Sequence, residues 1–334
     1  MISLKLVQRV PVFSGRVIQR APVVGESEIY LYNAMVVSRR HGGEMAALDR
    51  KTLSVKWRLR FEEFGPEEVY DSRFLIIGDW NAIGAVDVAA QRVVWSRESA
   101  GRLWQRHLLV DTPTGLDLVD PATGDVRDSI AVNAGPAAFS GDVFVGPVRS
   151  KPGIFMGFDV VGRRRLWERD LLQELRTRFG LQDPVPFGAF SGSIPGQFLA
   201  GGAGVAIGCS LQDGAIRWKA DVDLPYVPQA VEGKIPVLYL GRFVVIDEAT
   251  GRLLCDERHG TGLMVHERKG SILGGRVVFT SESGHVAMFD IDSGLLLWRE
   301  EHKVTFWGSV EADNRLLVPA SDGKLWVFEG ANGS

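Results

Sequence analysis

Short apolar runs separated by polar turns recur along the whole chain. Two examples are RFLIIGDWNAIGAVD (73–87) and GRVVFTSESGHVAMFD (275–290), in which Gly, Asp, Ser or Asn breaks each apolar run after a few residues. Short runs bounded by turn-forming residues are typical of antiparallel strands. The pattern therefore predicts an all-β fold built from many short strands.

The predicted strands form a repeat. In each copy an apolar strand ends at an Asp or Ser, a tight turn follows, and a large side chain or its substitute comes eight positions later. The seven copies are Asp49/Trp57, Asp87/Trp95, Asp120/Asp128, Asp159/Trp167, Ser210/Trp218, Asp247/Cys255 and Asp290/Trp298. A copy of roughly 40 residues with four strands is the size of one β-propeller blade.

Two half-copies at the chain ends predict how the ring closes. Glu329 in KLWVFEG occupies the Asp position, and FSGRVIQR near the N-terminus aligns Gly15 with the turn glycine and Gln19 with the Trp position. The N-terminal strand then completes the last blade and hides its open edge. The sequence thus predicts one domain over residues 1–334, an eight-bladed β-propeller of four-stranded antiparallel blades.

The repeat assigns five tryptophans to the interfaces between blades. Each is expected to bury its ring against the next blade and to donate its indole N–H to a backbone carbonyl; they are Trp57, Trp95, Trp167, Trp218 and Trp298. Gln19, Asp128 and Cys255 stand in the Trp position of the other copies. We expect weaker interfaces there, above all at Asp128, because a carboxylate cannot fill an indole-sized pocket.

One connection is longer than the others and forms an excursion over residues 168–196, between blades 4 and 5. Leu171, Leu172, Leu175 and Phe179 fall at helical spacing there, and Gly180 is placed to end the helix. A loop rich in Pro and Gly follows. The excursion is interpreted either as a surface that binds a partner or as a helix that only packs on the propeller edge.

The template of Asp, a Thr-Gly-type turn and a Trp four residues after the Gly resembles the repeat of the pyrroloquinoline-quinone-like (PQQ-like) propellers, from Gly15 to Glu329. The resemblance implies eight blades. That family includes quinoprotein alcohol dehydrogenases and a non-enzymatic lipoprotein that scaffolds outer-membrane barrel assembly. Its dehydrogenases pair adjacent cysteines, whereas Cys209 and Cys255 lie in different copies of the repeat. No cofactor is therefore predicted, PQQ included.

Composition and charge limit the classes of partner. The net charge is −3, and arginines occur in nearly every copy, so the sequence does not predict the concentrated basic face of a nucleic-acid-binding protein. No apolar run reaches membrane-spanning length, so no membrane insertion is predicted. Met1–Val24 lacks an apolar leader core. This predicts a cytoplasmic protein if Met1 is the native start, and a periplasmic one if a leader was removed.

Metal and binding sites were sought among the remaining polar and aromatic residues. The six histidines show no metal-ligand spacing, so no metal site is predicted. Aromatic and basic residues near the inner strands are candidates for a mouth of the central channel that binds an acidic peptide or a small anion. They are Tyr32, Tyr70, Arg102, Trp104, Tyr226, His266, Arg268 and Trp307. The alternative is that these rings only fill the channel.

Two functional hypotheses follow. The first is a non-catalytic scaffold that binds another protein through the channel mouth or the 168–196 excursion. The second is a small-molecule enzyme (a lyase, hydrolase or oxidoreductase) with its pocket at the channel mouth, which requires clustered titratable groups with perturbed pKa values. No sequence motif identifies such catalytic groups, and fold alone does not imply chemistry.

Overall fold

Antiparallel strands form eight separate sheets, which are arranged as an eight-bladed β-propeller and confirm the predicted fold class. The structure is a computed structural model that describes residues 3–14, 18–19, 22–37, 40–62, 65–78, 82–135, 137–149, 151, 153–181, 188–191, 193–202, 204–222, 230–239, 241–259 and 270–331. Consecutive strands of each blade are hydrogen-bonded neighbours, so the chain completes one blade before it enters the next.

Blades 1 to 4 use the first half of the chain. Blade 1 contains β2 (Ile18–Gln19), β3 (Val23–Val24), β4 (Glu28–Val37), β5 (Arg40–Asp49) and β6 (Val55–Glu62). Blade 2 contains β7 (Gly65–Val69), β8 (Phe74–Gly78), β9 (Ile83–Asp87) and β10 (Arg92–Arg97). Blade 3 contains β11 (Gly101–Trp104), β12 (His107–Thr112), β13 (Gly115–Val119) and β14 (Val126–Ile130). Blade 4 contains β15 (Ala138–Ser140), β16 (Val143–Pro147), β17 (Ile154–Asp159) and β18 (Arg164–Asp170), after which comes helix α1 (Leu171–Phe179).

Blades 5 to 8 complete the ring. Blade 5 contains β19 (Gly188–Ser191), β20 (Gln197–Gly202), β21 (Val205–Ser210) and β22 (Ile216–Ala220). Blade 6 has three strands within the described residues: β23 (Lys234–Tyr239), β24 (Arg242–Asp247) and β25 (Leu253–Arg258). Blade 7 contains β26 (Ser271–Leu273), β27 (Arg276–Thr280), β28 (His285–Asp290) and β29 (Leu296–Glu301). Blade 8 contains β30 (Val310–Ala312), β31 (Arg315–Pro319), β32 (Lys324–Ala331) and, from the N-terminus, β1 (Ser3–Pro11).

The N-terminal strand closes the ring as predicted, but the predicted register was wrong. Strand β1 pairs with β32 and puts Gln8 opposite Val327, two residues before Glu329. Trp167 has the equivalent place in blade 4, opposite Gly157 and two residues before Asp159. Gln8 therefore holds the Trp position of blade 8. Gln19 instead lies in β2 of blade 1 opposite Asn33, and Gly15 lies outside the described residues.

The physical reason for this register is burial. Leu4 and Val10 of β1 are buried against blade 8, and a register shift at the intervening residue keeps both of them on the core side. A pairing that used residues 14–19 would have left these apolar positions without a partner sheet.

The turn between the third and fourth strands has one conformation in the seven described copies. The residue four positions after the Asp has a positive φ in each: Leu53, Gln91, Gly124, Arg163, Gly214, Gly251 and Gly294. The Asp side chain caps this turn; Asp49 and Asp247, for example, each accept the N–H of a threonine three residues later at 2.8 Å. A conserved backbone shape thus places different side chains at one point on each blade.

The apolar core is divided among the interfaces between blades. A typical cluster combines Tyr30 and Met45 of blade 1 with Leu75 and Ile77 of blade 2. A further repeat position contributes, four residues after the Trp position, where the chain leaves the outer strand. It is buried or half-buried at Val12, Val132, Leu171, Val222, His259 and His302. Two histidines therefore occupy places that blades 3, 4, 5 and 8 fill with aliphatic side chains, while blade 2 has Ser99 there.

Candidate functional site

The outer strand of each blade contacts the turn between the third and fourth strands of the next blade, and we call this contact a seam. At seam 4/5, the ring of Trp167 lies over Gly157 of its own blade and over Gly214 of the next. Its Nε1 donates to the Leu211 carbonyl at 2.8 Å. A Cβ at Gly214 would come within 2.6 Å of the ring, so this glycine gives the indole its space.

The other assigned tryptophans lie at equivalent places. Trp218 crosses seam 5/6, lies over Gly251, and donates to the Glu248 carbonyl at 2.7 Å. Trp95 crosses seam 2/3, lies over Gly124, and donates to the Pro121 carbonyl at 2.9 Å. At the remaining two seams, Trp57 packs among residues of blade 2, and the Trp298 ring meets Phe328 edge-on at 6.2 Å between centroids.

Three seams have no tryptophan and are closed by other pairs. At seam 3/4, Asp128 forms an ion pair with Arg163, the residue that replaces the turn glycine. At seam 6/7, the sulfur of Cys255 packs on Gly294 so closely that a Cβ there would overlap it. At seam 8/1, Gln8 stands in the Trp position, and the facing turn carries Leu53.

Exposed apolar side chains mark these same three seams. The described residues contain five large apolar side chains that are exposed: Val7, Val126, Val161, Leu253 and Leu295. The first directly precedes Gln8. Val126 lies two residues before Asp128, and Val161 lies two residues before Arg163. Leu253 lies two residues before Cys255, and Leu295 directly follows Gly294. The rim of the ring is therefore more apolar where the indole is missing.

The five described residues of the proposed channel mouth do not converge at one point. Tyr70 and Trp104 lie at the ends of the first strands of blades 2 and 3, and the Tyr70 hydroxyl donates to the Arg106 carbonyl at 3.3 Å. Trp307 lies in the connection between blades 7 and 8, at the opposite end of the strands. Tyr32 is buried in blade 1, and its ring lies over Gly43.

Only part of this predicted surface is open to a ligand. Arg102 is exposed on the innermost strand of blade 3. Trp104 is 6% exposed and donates its Nε1 to the Gly141 carbonyl at 2.9 Å, so its ring serves the interface of blades 3 and 4. Tyr226, His266 and Arg268 lie outside the described residues. The binding role of this set stays a prediction.

An open groove that sequence reasoning missed lies beneath blades 7 and 8, at the end of the strands that carries the seam turns. Its volume is about 770 Å³. Buried Leu4, Leu273 and Met288 line it, and exposed or half-buried charged and polar groups surround them: Lys51, Arg276, Asp313, Asn314, Arg315 and Glu329. Asp313 is held by Arg50 through hydrogen bonds of 2.7 and 3.0 Å, which fixes one wall.

Blade 7 carries the arrangement closest to a catalytic one. Ser283 Oγ lies 3.0 Å from Nδ1 of His285, and Arg299 Nη2 lies 3.0 Å from its Nε2. Burial and the nearby Arg299 charge lower the pKa of His285, and the Glu301 carboxylate, 3.5 Å from Nε2, opposes the shift. A guanidinium only donates and a carboxylate only accepts, so Nε2 accepts from Arg299 in one tautomer and donates to Glu301 in the other. The hydrogen bond between Ser283 and Nδ1 therefore runs in either direction, depending on the tautomer.

The apolar face of helix α1 packs against the propeller. Leu171, Leu172 and Leu175 are buried, Asp170 caps the N-terminus, and Gly180 ends the helix in the left-handed conformation. The exposed side chains of the helix are Gln173, Arg176, Thr177 and Arg178. A partner that met this helix would contact a polar surface.

The far end of the excursion is tied to blade 6 by Glu248, which is fully buried. Its carboxylate accepts the backbone N–H groups of Ser193 at 2.7 Å and Ile194 at 3.2 Å, and also the Ser193 hydroxyl. The backbone carbonyl of Glu248 accepts the indole N–H of Trp218. Glu248 therefore holds the loop and seam 5/6 together. No sequence pattern had singled out this residue.

Among the described residues there is neither a metal-binding cluster nor a membrane-spanning helix. No group of three or more His, Cys, Asp or Glu side chains in that part of the chain could hold a metal ion. No helix in it is long and apolar enough to cross a bilayer.

The chain is similar to several propeller proteins. It matches the family described as outer membrane protein assembly factor BamB over residues 153–302 and 240–334, together more than half of its length. No curated protein matches it. At 14% identity and a TM-score of 0.70, it resembles the computationally designed Ika8 protein, over 97% of this chain and 100% of that one.

Two natural proteins of known structure also share the fold. Sqt1 from Chaetomium thermophilum, solved bound to the N-terminus of ribosomal protein L10, is 14% identical with a TM-score of 0.70, over 96% of this chain and 100% of that one. BamB from Moraxella catarrhalis is 17% identical with a TM-score of 0.53, over 80% of this chain and 96% of that one. At these identities the likeness shows the fold alone.

Proposed function

The chain belongs to the PQQ-like repeat β-propeller family, and from this premise we propose that it is a non-catalytic scaffold that binds another protein. Sqt1, which has the same fold, is seen with a segment of a ribosomal protein bound, and BamB is described as an assembly factor. Both support a role in which the ring presents a surface to a polypeptide. A cytoplasmic location stays a prediction.

The groove beneath blades 7 and 8 is the observation that carries this proposal. Its volume of about 770 Å³ is within the range of roughly 300–1,000 Å³ that is typical of ligand-binding pockets. An apolar floor with a polar, charged rim is the anatomy of a protein-binding surface. Lys51 of blade 1 and Arg276 of blade 7, with Glu329 of blade 8 between them in the ring, would orient a peptide that carries both signs of charge.

The channel mouth and the excursion remain further proposed contact surfaces. Arg102 offers an exposed cation on the inner strand of blade 3, and Arg176 and Thr177 offer a polar helix face. The enzyme hypothesis has weaker support, from the Ser283–His285 pair of blade 7, because His285 is 6% exposed and its ring offers little surface to a substrate.

Site-specific photocrosslinking in the native host would test the scaffold proposal. A photoreactive amino acid replaces Asn314 at the groove, Arg102 at the mouth or Arg176 on the excursion. Arg92, exposed on the outer strand of blade 2, is the control. We expect position 314 to crosslink one defined protein that binds the purified propeller, and Arg276→Glu to weaken that binding. If none of the three test positions crosslinks a protein that binds in purified form, the proposal is wrong.

A further inference from the structure

Seam 6/7 leaves apolar surface uncovered on the rim. Leu253 is 37% exposed and Leu295 is 60% exposed, one on each side of the Cys255–Gly294 contact. A thiol covers far less surface than an indole, so the two leucines keep the exposure that a tryptophan would remove. Exposed apolar side chains that cluster at one point mark interaction sites more often than scattered ones do.

Two other seams, 2/3 and 4/5, show one way in which this place is covered. At seam 2/3, Trp95 lies on the turn glycine, and Arg97, two residues later, donates to the Gly124 carbonyl at 2.6 Å. At seam 4/5, Trp167 does the same, and Arg169 donates to the Asp213 carbonyl at 2.7 Å. Each seam is closed by an aromatic ring and an arginine spaced two apart, which places them on one side of an extended strand.

Seam 6/7 has the opposite chemistry at both positions. Cys255 replaces the tryptophan, and Glu257 stands where blades 2 and 4 have an arginine; blade 7 has Glu300 at that place beside its Trp298. The Glu257 side chain is exposed and its Cγ approaches the turn, 3.7 Å from the place a Cβ on Gly294 would take. A carboxylate cannot donate to the turn carbonyl as Arg97 and Arg169 do. It instead presents a negative charge beside the two exposed leucines.

We propose that seam 6/7 binds an extended segment of a partner protein that carries an aromatic side chain and, two residues later, an arginine or lysine. The aromatic ring lies across Cys255 and Gly294 between Leu253 and Leu295, and the cation pairs with Glu257. The partner thereby supplies in trans the two groups that blades 2 and 4 supply in cis. Strand β25 is the last strand of its sheet, so its free edge lies along the incoming segment.

This inference rests on the proposed scaffold function and adds a surface and a partner chemistry to it. The charge argument selects a basic segment over an acidic one because Glu257 lies at the seam. The nearby arginines Arg252 and Arg258 act on Asp247 and Asp256, and Asp292 is paired with Lys234. The thiol of Cys255 takes no chemical part.

Binding of a defined peptide tests the proposal. The probe is a fluorescent peptide of residues 92–98 of this chain, RVVWSRE, which contains Trp95 and Arg97, and the readout is fluorescence anisotropy with the full-length protein. We expect saturable binding that weakens about tenfold or more in Cys255→Trp, Leu295→Glu and Glu257→Arg. Val161→Glu, at an exposed rim position of seam 3/4, is the matched control and should bind like the wild type.

Several outcomes would overturn the proposal. Absence of binding to the wild type is one, equal binding by the three seam variants is another, and undiminished binding of a peptide with Trp95→Ala and Arg97→Glu is a third. Leu295→Glu and Glu257→Arg change exposed residues, so they keep the test valid if Cys255→Trp fails to fold. A crosslinked partner at position 314 with no peptide binding would retain the scaffold function and reject this seam.

Discussion

Seams 3/4 and 4/5 border the same blade and are closed by different physics. At seam 4/5, Trp167 is 8% exposed and rests on Gly214. At seam 3/4, the same two positions hold Asp128 and Arg163, whose side chains are 37% and 58% exposed. Burial of a large ring contributes several times more to stability than an exposed ion pair. The two sides of blade 4 should therefore differ in strength.

The comparison also shows that the two positions of a seam depend on each other. The turn residues Gly214 and Arg163 have positive φ angles of 69° and 52°, so the backbone is equivalent at both seams. At seams 2/3, 4/5 and 5/6 a glycine lies beneath the tryptophan, and a Cβ there would meet the ring. At seam 1/2 the turn that faces Trp57 carries Gln91 instead. Where an aspartate replaces the ring, an arginine can take the turn position despite the cost of the left-handed conformation.

Removal of the ring should have the largest effect. Trp167→Ala is expected to lower the free energy of unfolding by about 3–5 kcal/mol, because it leaves a cavity between blades 4 and 5. Urea denaturation followed by circular dichroism measures the change. Asp128→Ala at the neighbouring seam is the matched control, and equal losses in the two variants would contradict the comparison.

The second-largest loss of stability is expected when a methyl group is added beneath the Trp167 ring. Gly214→Ala is expected to cost about 2 kcal/mol, since the added Cβ meets the Trp167 ring in a left-handed backbone conformation. Arg163→Ala changes the equivalent residue of seam 3/4, where no ring lies above the turn, and should cost about 1 kcal/mol or less. The same urea titration applies, and the account fails if Arg163→Ala proves the more harmful.

Acid should weaken a third seam while it spares seam 4/5. His302 lies against Phe306, Trp326 and Phe328 at seam 7/8. Burial lowers its pKa, the Glu300 carboxylate at 3.6 Å opposes the shift, and Arg9, stacked on Trp326, adds to it. A lowered pKa in the folded state means that the neutral ring stabilises the fold.

The sign of the pH dependence follows. The stabilisation is complete above the unfolded pKa of about 6.5 and is lost as the pH falls through the folded value. The melting temperature of the wild type should therefore fall more between about pH 7 and pH 5 than that of His302→Phe, which cannot titrate. Parallel pH profiles for the two proteins would show that protonation of His302 does not weaken this seam.

The ion pair of seam 3/4 should have the smallest effect. A double-mutant cycle with Asp128→Ala and Arg163→Ala is expected to give a coupling energy of about 0.2–1 kcal/mol, because the pair is exposed. The coupling should shrink as salt is added, since ions screen exposed charges. A salt-independent coupling above about 2 kcal/mol would mean that the pair behaves as a buried one.

The sequence repeat was enough to predict the propeller, its eight blades and its closure by the N-terminal strand. Local chemistry carried these predictions: apolar alternation, an Asp that caps its own turn, and a constant spacing to the Trp position. The closing register was misassigned because FSGRVIQR matches the template by residue identity. The true closing strand, SLKLVQRVP, is recognised only by which of its residues become buried.

The contacts across the seams could not be predicted from the sequence, because they join residues of different blades. Asp128 meets Arg163, 35 residues away, and Ser193 meets Glu248, 55 residues away. A comparison of each Trp position with the turn of the following copy could have found the first pair, since the arginine replaces the glycine where the aspartate replaces the ring. Nothing comparable marks Glu248, whose loop departs from the repeat.

Native-state hydrogen exchange tests most directly the central claim that a tryptophan in the outer strand is what holds a seam. Amides of β14 and β25, at the seams with Asp128 and Cys255, should open with a lower free energy than those of β18 and β22, at the seams with Trp167 and Trp218. Equal or greater protection of β14 and β25 would contradict the account.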